Sequence, residues 1–209
     1  MQENKCKICR RLGQKLFLKG EKCFSPKCPM VRKPYPPGPR RKKRRARGLS
    51  EYAKELREKQ KLKVWYGLGE RQFKNYVKEV LQKRGKEDAE SYLIKKLETR
   101  LDNVIFRLGF ANSRLQSRQL VAHGHFQINS RKVNYPSYQV KKDDIIKIRL
   151  ISLKKNVFQN LKTKIKKYNP PTWLELDKEK LEGKVITWPT FEEAMPPAEV
   201  SVILEFYSK

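Results

Sequence analysis

The stretch RLDNVIFRLGFANSRLQSRQLVAHGHFQIN, residues 100–129, decides how this chain reads. Leu101, Val104 and Leu108 continue a stripe begun by Leu93 and Leu97, at the spacing that keeps side chains on one helical face. The stripe predicts one helix that starts after Asp88 and stops at Gly109, where a left-handed cap suits glycine. Asn112 or Ser113 then stands where an N-cap belongs, and Gly124 ends the short helix it opens. Beyond Gly124 the period changes. His125 to Asn129 alternates, Asn129-Ser130 can turn, and Ile145, Ile146 and Ile148 form a β-branched run. Residues 98–150 therefore predict two helices followed by a small sheet.

Upstream, Ser50 sits at an N-cap with Leu49 before it as a hydrophobic staple, and Tyr52, Leu56 and Val64 share a face beside Ala53. Gly67 and Gly69 interrupt. Phe73, Tyr76, Val77, Val80 and Leu81 then mark a second helix ending at Gly85, with Arg71, Lys74 and Lys78 opposite the apolar stripe. Such a basic outer face serves solubility or grips phosphates equally well. Downstream, residues 151–168 are basic and predict helix; beyond Pro170-Pro171 come aromatic and strand-forming pieces, notably Val200 to Tyr207. Residues 1–48 show little apolar core. They hold all four cysteines, a proline- and glycine-rich stretch from Pro34 to Pro39, and the run Arg40, Arg41, Lys42, Lys43, Arg44, Arg45, Arg47. Proline and like charge both extend a chain, so this predicts a linker or arm.

Charge narrows the function. Fifty Lys and Arg stand against 22 Asp and Glu, a net of +28 over 209 residues. Self-repulsion on that scale calls for a polyanion, which means nucleic acid or an anionic membrane. No stretch approaches the roughly 20 apolar residues of a membrane span, and the N-terminus lacks a signal peptide's apolar core, so a cytosolic protein is expected. From Asn169 onward four lysines meet eight acidic residues, a net of −4, which leaves +32 on residues 1–168. The basic run at 40–47 thus predicts an RNA-contacting arm rather than a solvated tail.

Cys6 and Cys9 are separated by two residues, Cys23 and Cys28 by four, and the pairs by 13. Each pair can wrap two thiolates around one side of a tetrahedron, the pattern of a closed structural zinc site. An iron–sulfur cluster or four free thiols would use the same residues. Lys5, Lys7, Arg10, Lys22 and Lys27 are placed to lower the thiol pKa values. His123 and His125 flank Gly124 with no third ligand close by, so they read as part of a turn.

On the helix after Ser113, Arg114 and Arg118 lie four apart on one face with Gln119 nearby, while Leu120 and Val121 turn inward. Two guanidiniums at that spacing can bridge successive phosphates. Residues 100–104, 107–111, Ser113-Arg114, 118–121, 123–125 and Val133-Asn134 together resemble the S-four RNA-binding domain. The wider chain extends the likeness. LSEYAKELREKQKLKVWYGLGERQF at 49–73, PTWLELDKEKLEGKV at 171–185 and LEFYSK at 204–209 are similar to the bacterial small-subunit ribosomal protein S-four family, over about 160 residues from Leu49 onward. The four-cysteine arm is similar to that of the family's zinc-type members.

The resemblance implies an α+β chain: a zinc-binding N-terminal extension (1–48), a mainly helical first domain (49–97) completed by the acidic C-terminal segment (169–209), and an inserted small α/β S-four domain (98–168). It implies a structural constituent of the small ribosomal subunit in the cytoplasm, with no enzymatic activity. That constituent binds the 5′ domain of 16S rRNA early in assembly. It lies near the messenger RNA entry channel and shares an accuracy-controlling contact with ribosomal protein five, for which Glu192, Glu193, Glu199 and Glu205 are the candidate side chains. By position, Arg57, Lys59 and Lys61 match the family's REKQK segment, and Arg71 and Lys74 join the expected RNA contacts. Two turns depart from the family pattern, Asn129-Ser130 in place of Asn-Gly and Asp143-Asp144 in place of Gly-Asp, which puts strand register in question. Rival readings are an RNA-modifying enzyme, which would need a separate catalytic domain, and a shorter RNA chaperone.

Overall fold

A computed structural model describes residues 4–38, 48–83 and 88–208. The chain forms two compact units, residues 1–85 with 196–209, and residues 86–195.

In the first unit, α1 (Lys5–Leu12), α2 (Glu21–Phe24) and α3 (Pro29–Arg32) are short helices. Cys9, Leu16 and Leu18 are buried there, with Leu12, Met30, Val64 and Trp65 packed against them. Residues 4–38 thus have a core of their own and lean on the next helix, where the sequence predicted an arm with little core. Leu16 and Leu18, on a loop, carry no periodic signal. The basic run Arg40–Arg47 and Pro39 lie outside the described residues. Helix α4 (Glu51–Trp65) begins at Ser50, whose side chain accepts from the Ala53 N–H at 3.3 Å. Helix α5 (Glu70–Gln82) buries Phe73, Val77 and Val80.

In the second unit, α6 (Ala89–Glu98) and α7 (Leu101–Arg107) replace the single helix expected after Asp88. Asp88 caps α6 as predicted, and Gly109 ends α7 at φ +78°. Between them Arg100 is extended and bridges Gln139, while Leu101 N–H and Asp102 N–H donate to the Tyr138 and Pro136 carbonyls. Those long-range partners outbid helix continuation, which the apolar stripe alone could not reveal. Helix α8 (Arg114–Ala122) is capped by Ser113 and followed by Gly124 at φ +68°.

Five antiparallel strands follow: β1 (Phe126–Ile128), β2 (Arg131–Val133), β3 (Ile145–Ile148), β4 (Leu174–Asp177) and β5 (Glu182–Val185), in the order β2-β1-β3-β5-β4. Ile128 opposes Arg131, so Asn129 and Ser130 make a two-residue turn with φ +46° and +70°. This is the left-handed pair such hairpins require. Asn129 holds register from its side chain, accepting from Ile145 N–H at 3.0 Å and donating to Asp144 at 2.8 Å. Asp143 likewise takes φ +65°. Both atypical turns keep the glycine geometry without glycine. Gly183 in β5 is different: a Cβ there would stand 2.4 Å from the buried Leu108 side chain.

Residues 151–168 give the short α9 (Leu150–Leu153), a 3-10 turn at Asn156–Phe158 and α10 (Leu161–Lys166). Short helix α11 (Phe191–Ala194) packs on α6. Helix α12 (Val200–Ser208), where the sequence read a strand-forming piece, packs on α4 and α5. Val200 and Ile203 are buried at helical spacing, so tertiary packing overrides β propensity. The acidic segment therefore divides: Trp173, Leu174, Leu181 and Val185 join the core of the second unit, and α12 completes the first.

Candidate nucleic-acid interface

Helix α5 presents the clearest basic face. Its apolar side is buried, so Arg71, Lys74 and Lys78, at i, i+3 and i+7, are left exposed on the other. None of the three meets a carboxylate among the described residues. On α4, Lys54 and Arg57 are exposed in the same way, and Lys54 carried no signal beyond its charge. Lys61, one turn on, is half-buried and held by Glu58 at 2.5 Å.

Lys59, expected among the RNA contacts, is buried. Its ammonium sits 2.7 Å from Glu70, under the rings of Phe206 at 4.6 Å and Tyr207 at 5.6 Å. Glu70 also takes Lys63 at 2.8 Å. Burial raises the Glu70 pKa, but the two lysines outweigh it and bring the carboxyl down to about 2.

The arginines of α8 require a larger correction. Glu98 is fully buried and receives a fork from Arg107 at 2.9 Å to each oxygen, plus Asn103 at 2.7 Å. Arg114 turns into the same network. Its Nε donates to Asn103 at 2.7 Å, its Nη2 lies 3.9 Å from Glu98, and its guanidinium covers the Phe106 ring at 4.6 Å. Only 11% of its side chain is exposed. Arg100, also buried, forks Asp102 at 2.8 and 3.1 Å, and the half-buried Arg118 lies close enough to act on the same carboxyl. Burial nevertheless pushes Asp102 above its ordinary pKa, against the pull of Arg100, Arg118 and the Asn103 N–H. The shared face of Arg114 and Arg118 looks toward the end of α6 and the start of α7, because Glu98 and Asp102 are there. Gln119 remains exposed.

Beyond its turn, the β1–β2 hairpin carries no distinct signal in the sequence. Arg131 and Lys132 are exposed there without a carboxylate among the described residues, next to Tyr135 with 69% of its surface exposed.

None of the four cysteines is in a disulfide, and Cys6, Cys9, Cys23 and Cys28 all line one cavity with Lys5, Lys15, Lys19 and Met30. Cys6 and Cys9 share a face of α1, Cys23 lies on α2 and Cys28 caps α3. Lys19 N–H donates to the Cys23 sulfur at 3.3 Å. No three metal-ligating side chains among the described residues stand in coordinating geometry. Burial pushes the Cys9 thiol up, and the charges of Cys23, Cys6 and Cys28 add to it, so the nearby lysines do not lower it as expected. A donor set of mutually repelling thiolates with N–H bonds to sulfur fits a thiophilic cation.

His125 is buried, with Nδ1 3.0 Å from the Ser152 hydroxyl, as a turn residue should be. Of the acidic candidates, the half-buried Glu193 is already engaged by its neighbours. It forms a capping box with Thr190 and accepts from the Thr172 hydroxyl. Glu192, Glu199 and Glu205 are exposed.

Residues 1–98 match the ribosomal protein S4/S9 N-terminal domain, and residues 99–146 match the S4 domain. The chain is 48% identical over 204 residues to the small ribosomal subunit protein uS4 of Caldicellulosiruptor bescii, covering 98% of this chain and 96% of the relative. It belongs to the uS4 family. Two further uS4 proteins agree, from Thermus thermophilus at 48% over 206 residues and from Solidesulfovibrio magneticus at 46% over 207. The first alignment covers 98% of this chain and 96% of the relative, the second 99% and 98%. The family is one of ribosomal structural proteins rather than enzymes, and no described helix is long and apolar enough to cross a membrane.

Proposed function

We propose that this chain is a structural protein of the cytoplasmic small ribosomal subunit that binds 16S rRNA in its 5′ domain and helps nucleate assembly. The observation that supports it best is the cation row Arg71, Lys74 and Lys78 on α5, which meets no carboxylate among the described residues, in a chain of net +28. An RNA backbone is the ligand such a row fits: each neutralised phosphate releases counterions, with a slope of roughly −0.7 to −0.9 in log K against log salt. Filter binding to 16S rRNA across a salt series tests this. Replacing all three by alanine should flatten the slope by about 2 units while leaving the melting temperature in place. An unaltered slope would remove α5 from the interface, and a flat response in the parent chain would remove the reading itself.

The finer assignments follow the family likeness. Exposed Glu192, Glu199 and Glu205 are the side chains left to meet ribosomal protein five and so to influence accuracy, and the messenger entry channel is the neighbouring RNA. Cys6, Cys9, Cys23 and Cys28 would hold one structural zinc, which supplies cross-linking of α1, α2 and α3 and no reaction. Native mass spectrometry should find one zinc per chain and none in Cys9→Ser, while a chain that carries no metal excludes the site.

A further inference from the structure

Beside the β1–β2 hairpin lies an open recess of about 540 Å³, lined by Ile128, Asn129, Arg131, Lys132, Val133, Tyr135 and Tyr138. Three kinds of group meet there. Arg131 and Lys132 are unpaired cations among the described residues, in contrast to Arg114 and Arg118 on α8. Tyr138 and Val133 are half-buried against the core and give the recess a fixed apolar floor. Tyr135 stands over it, 69% exposed, with no side-chain partner among the described residues. The turn is braced from both sides. Asn129 ties it to Asp144 and Ile145, and the Lys132 stem crosses Gly124, where a Cβ would stand 2.5 Å from its Cε. Strand β2 is also the sheet edge.

A planar, exposed ring beside two free cations on a rigid edge matches a group that is flat at one end and anionic at the other. A nucleotide whose base is unstacked has that form. Paired RNA does not, since its bases are already stacked and its deep groove excludes side chains. We propose that this recess is a binding site for single-stranded RNA, with one base stacked on Tyr135 and the adjoining phosphates held by Arg131 and Lys132. The site rests on the reading of the chain as an RNA-binding protein and adds to the phosphate-gripping face of α5 a part that distinguishes unpaired from paired RNA.

The full-length chain is titrated with a short unstructured adenine-rich RNA and with a duplex of equal length, at salt high enough to screen loose phosphate contacts. Stacking on an aromatic ring is sequence-tolerant and large, so Tyr135→Ala should weaken the single strand about tenfold to a hundredfold, leave the duplex within about twofold, and keep its folding transition. Tyr135→Phe retains the face and should bind as the parent does. Arg131→Ala should flatten the single-strand salt slope by about 0.7. Equal single-strand affinity for the parent and Tyr135→Ala overturns the site, as does an equal loss for both RNAs. A parent chain that binds neither RNA overturns the RNA-binding reading instead. Loading the chain on 16S rRNA first separates two sources of the strand. Exclusion of the oligonucleotide places an unpaired rRNA segment in the recess, and continued binding that Tyr135→Ala abolishes leaves it open to a passing strand.

Discussion

Helices α5 and α8 both carry cations at helical spacing, yet they use them in opposite ways. Arg71, Lys74 and Lys78 on α5 face solvent with no carboxylate among the described residues. Arg114 on α8 is drawn to the fully buried Glu98, and Arg118 to Asp102. The cations themselves do not decide the outcome. What decides it is whether an acid is buried beneath them, because a buried carboxylate must recruit positive charge or lose it by protonation. A surface row with no acid below keeps its charge for a ligand. The comparison teaches that a basic motif should be sorted by the acids around it before it is assigned to RNA.

Breaking the α8 side of the comparison should have the largest effect. Glu98→Ala leaves Arg107 and Arg114 without their carboxylate in a site where only 18% and 11% of those side chains reach solvent. Removing one partner of a buried pair costs about 3–5 kcal/mol. Urea denaturation should therefore show a loss of that order, with the single-strand and rRNA salt slopes retained in conditions where the variant is folded. A loss under about 1 kcal/mol, accompanied by a flatter slope, would instead return Arg114 to the interface. The α5 triple variant is the mirror experiment, with affinity lost and stability kept.

Much of the fold was legible from local signals. Ser50, Asp88 and Ser113 cap helices as their positions suggest, and Gly109 and Gly124 stop them at positive φ. What escaped depends on partners distant in sequence. The break at Thr99-Arg100 is made by hydrogen bonds to residues 136–140, and Val200–Ser208 is helical because α4 and α5 cover Val200 and Ile203. Strands β4 and β5 carry Glu175, Asp177, Glu182 and Lys184, too polar to announce a strand beyond Pro170-Pro171. The same distinction runs through the site. The basic face of α5 follows from periodicity alone. The inward turn of Arg114 depends on Glu98, 16 positions earlier in the chain, and the hairpin recess on the approach of Tyr135 and Tyr138 to β2.

Glu70 sharpens the comparison, since it is an acid at the surface that nonetheless claims its lysines. It binds Lys59 at 2.7 Å and Lys63 at 2.8 Å while keeping 48% of its side chain exposed, and Tyr207 donates to it at 3.1 Å. Its carboxyl titrates near 2 in the folded chain against an ordinary value of 4.5. The folded state thus binds a proton less readily than the unfolded state, so the ionised form stabilises the fold. That contribution is complete above about pH 4.5 and is lost as the pH falls toward 2. Solvent screening at so exposed a site limits it to at most about 1 kcal/mol. Thermal melts of the parent and Glu70→Gln should therefore differ modestly at neutral pH and converge as the pH falls below 4.5 toward 2. Should the difference persist undiminished in acid, Glu70 acts through packing of Tyr207 and Phe206, and the two lysines are available to a phosphate after all.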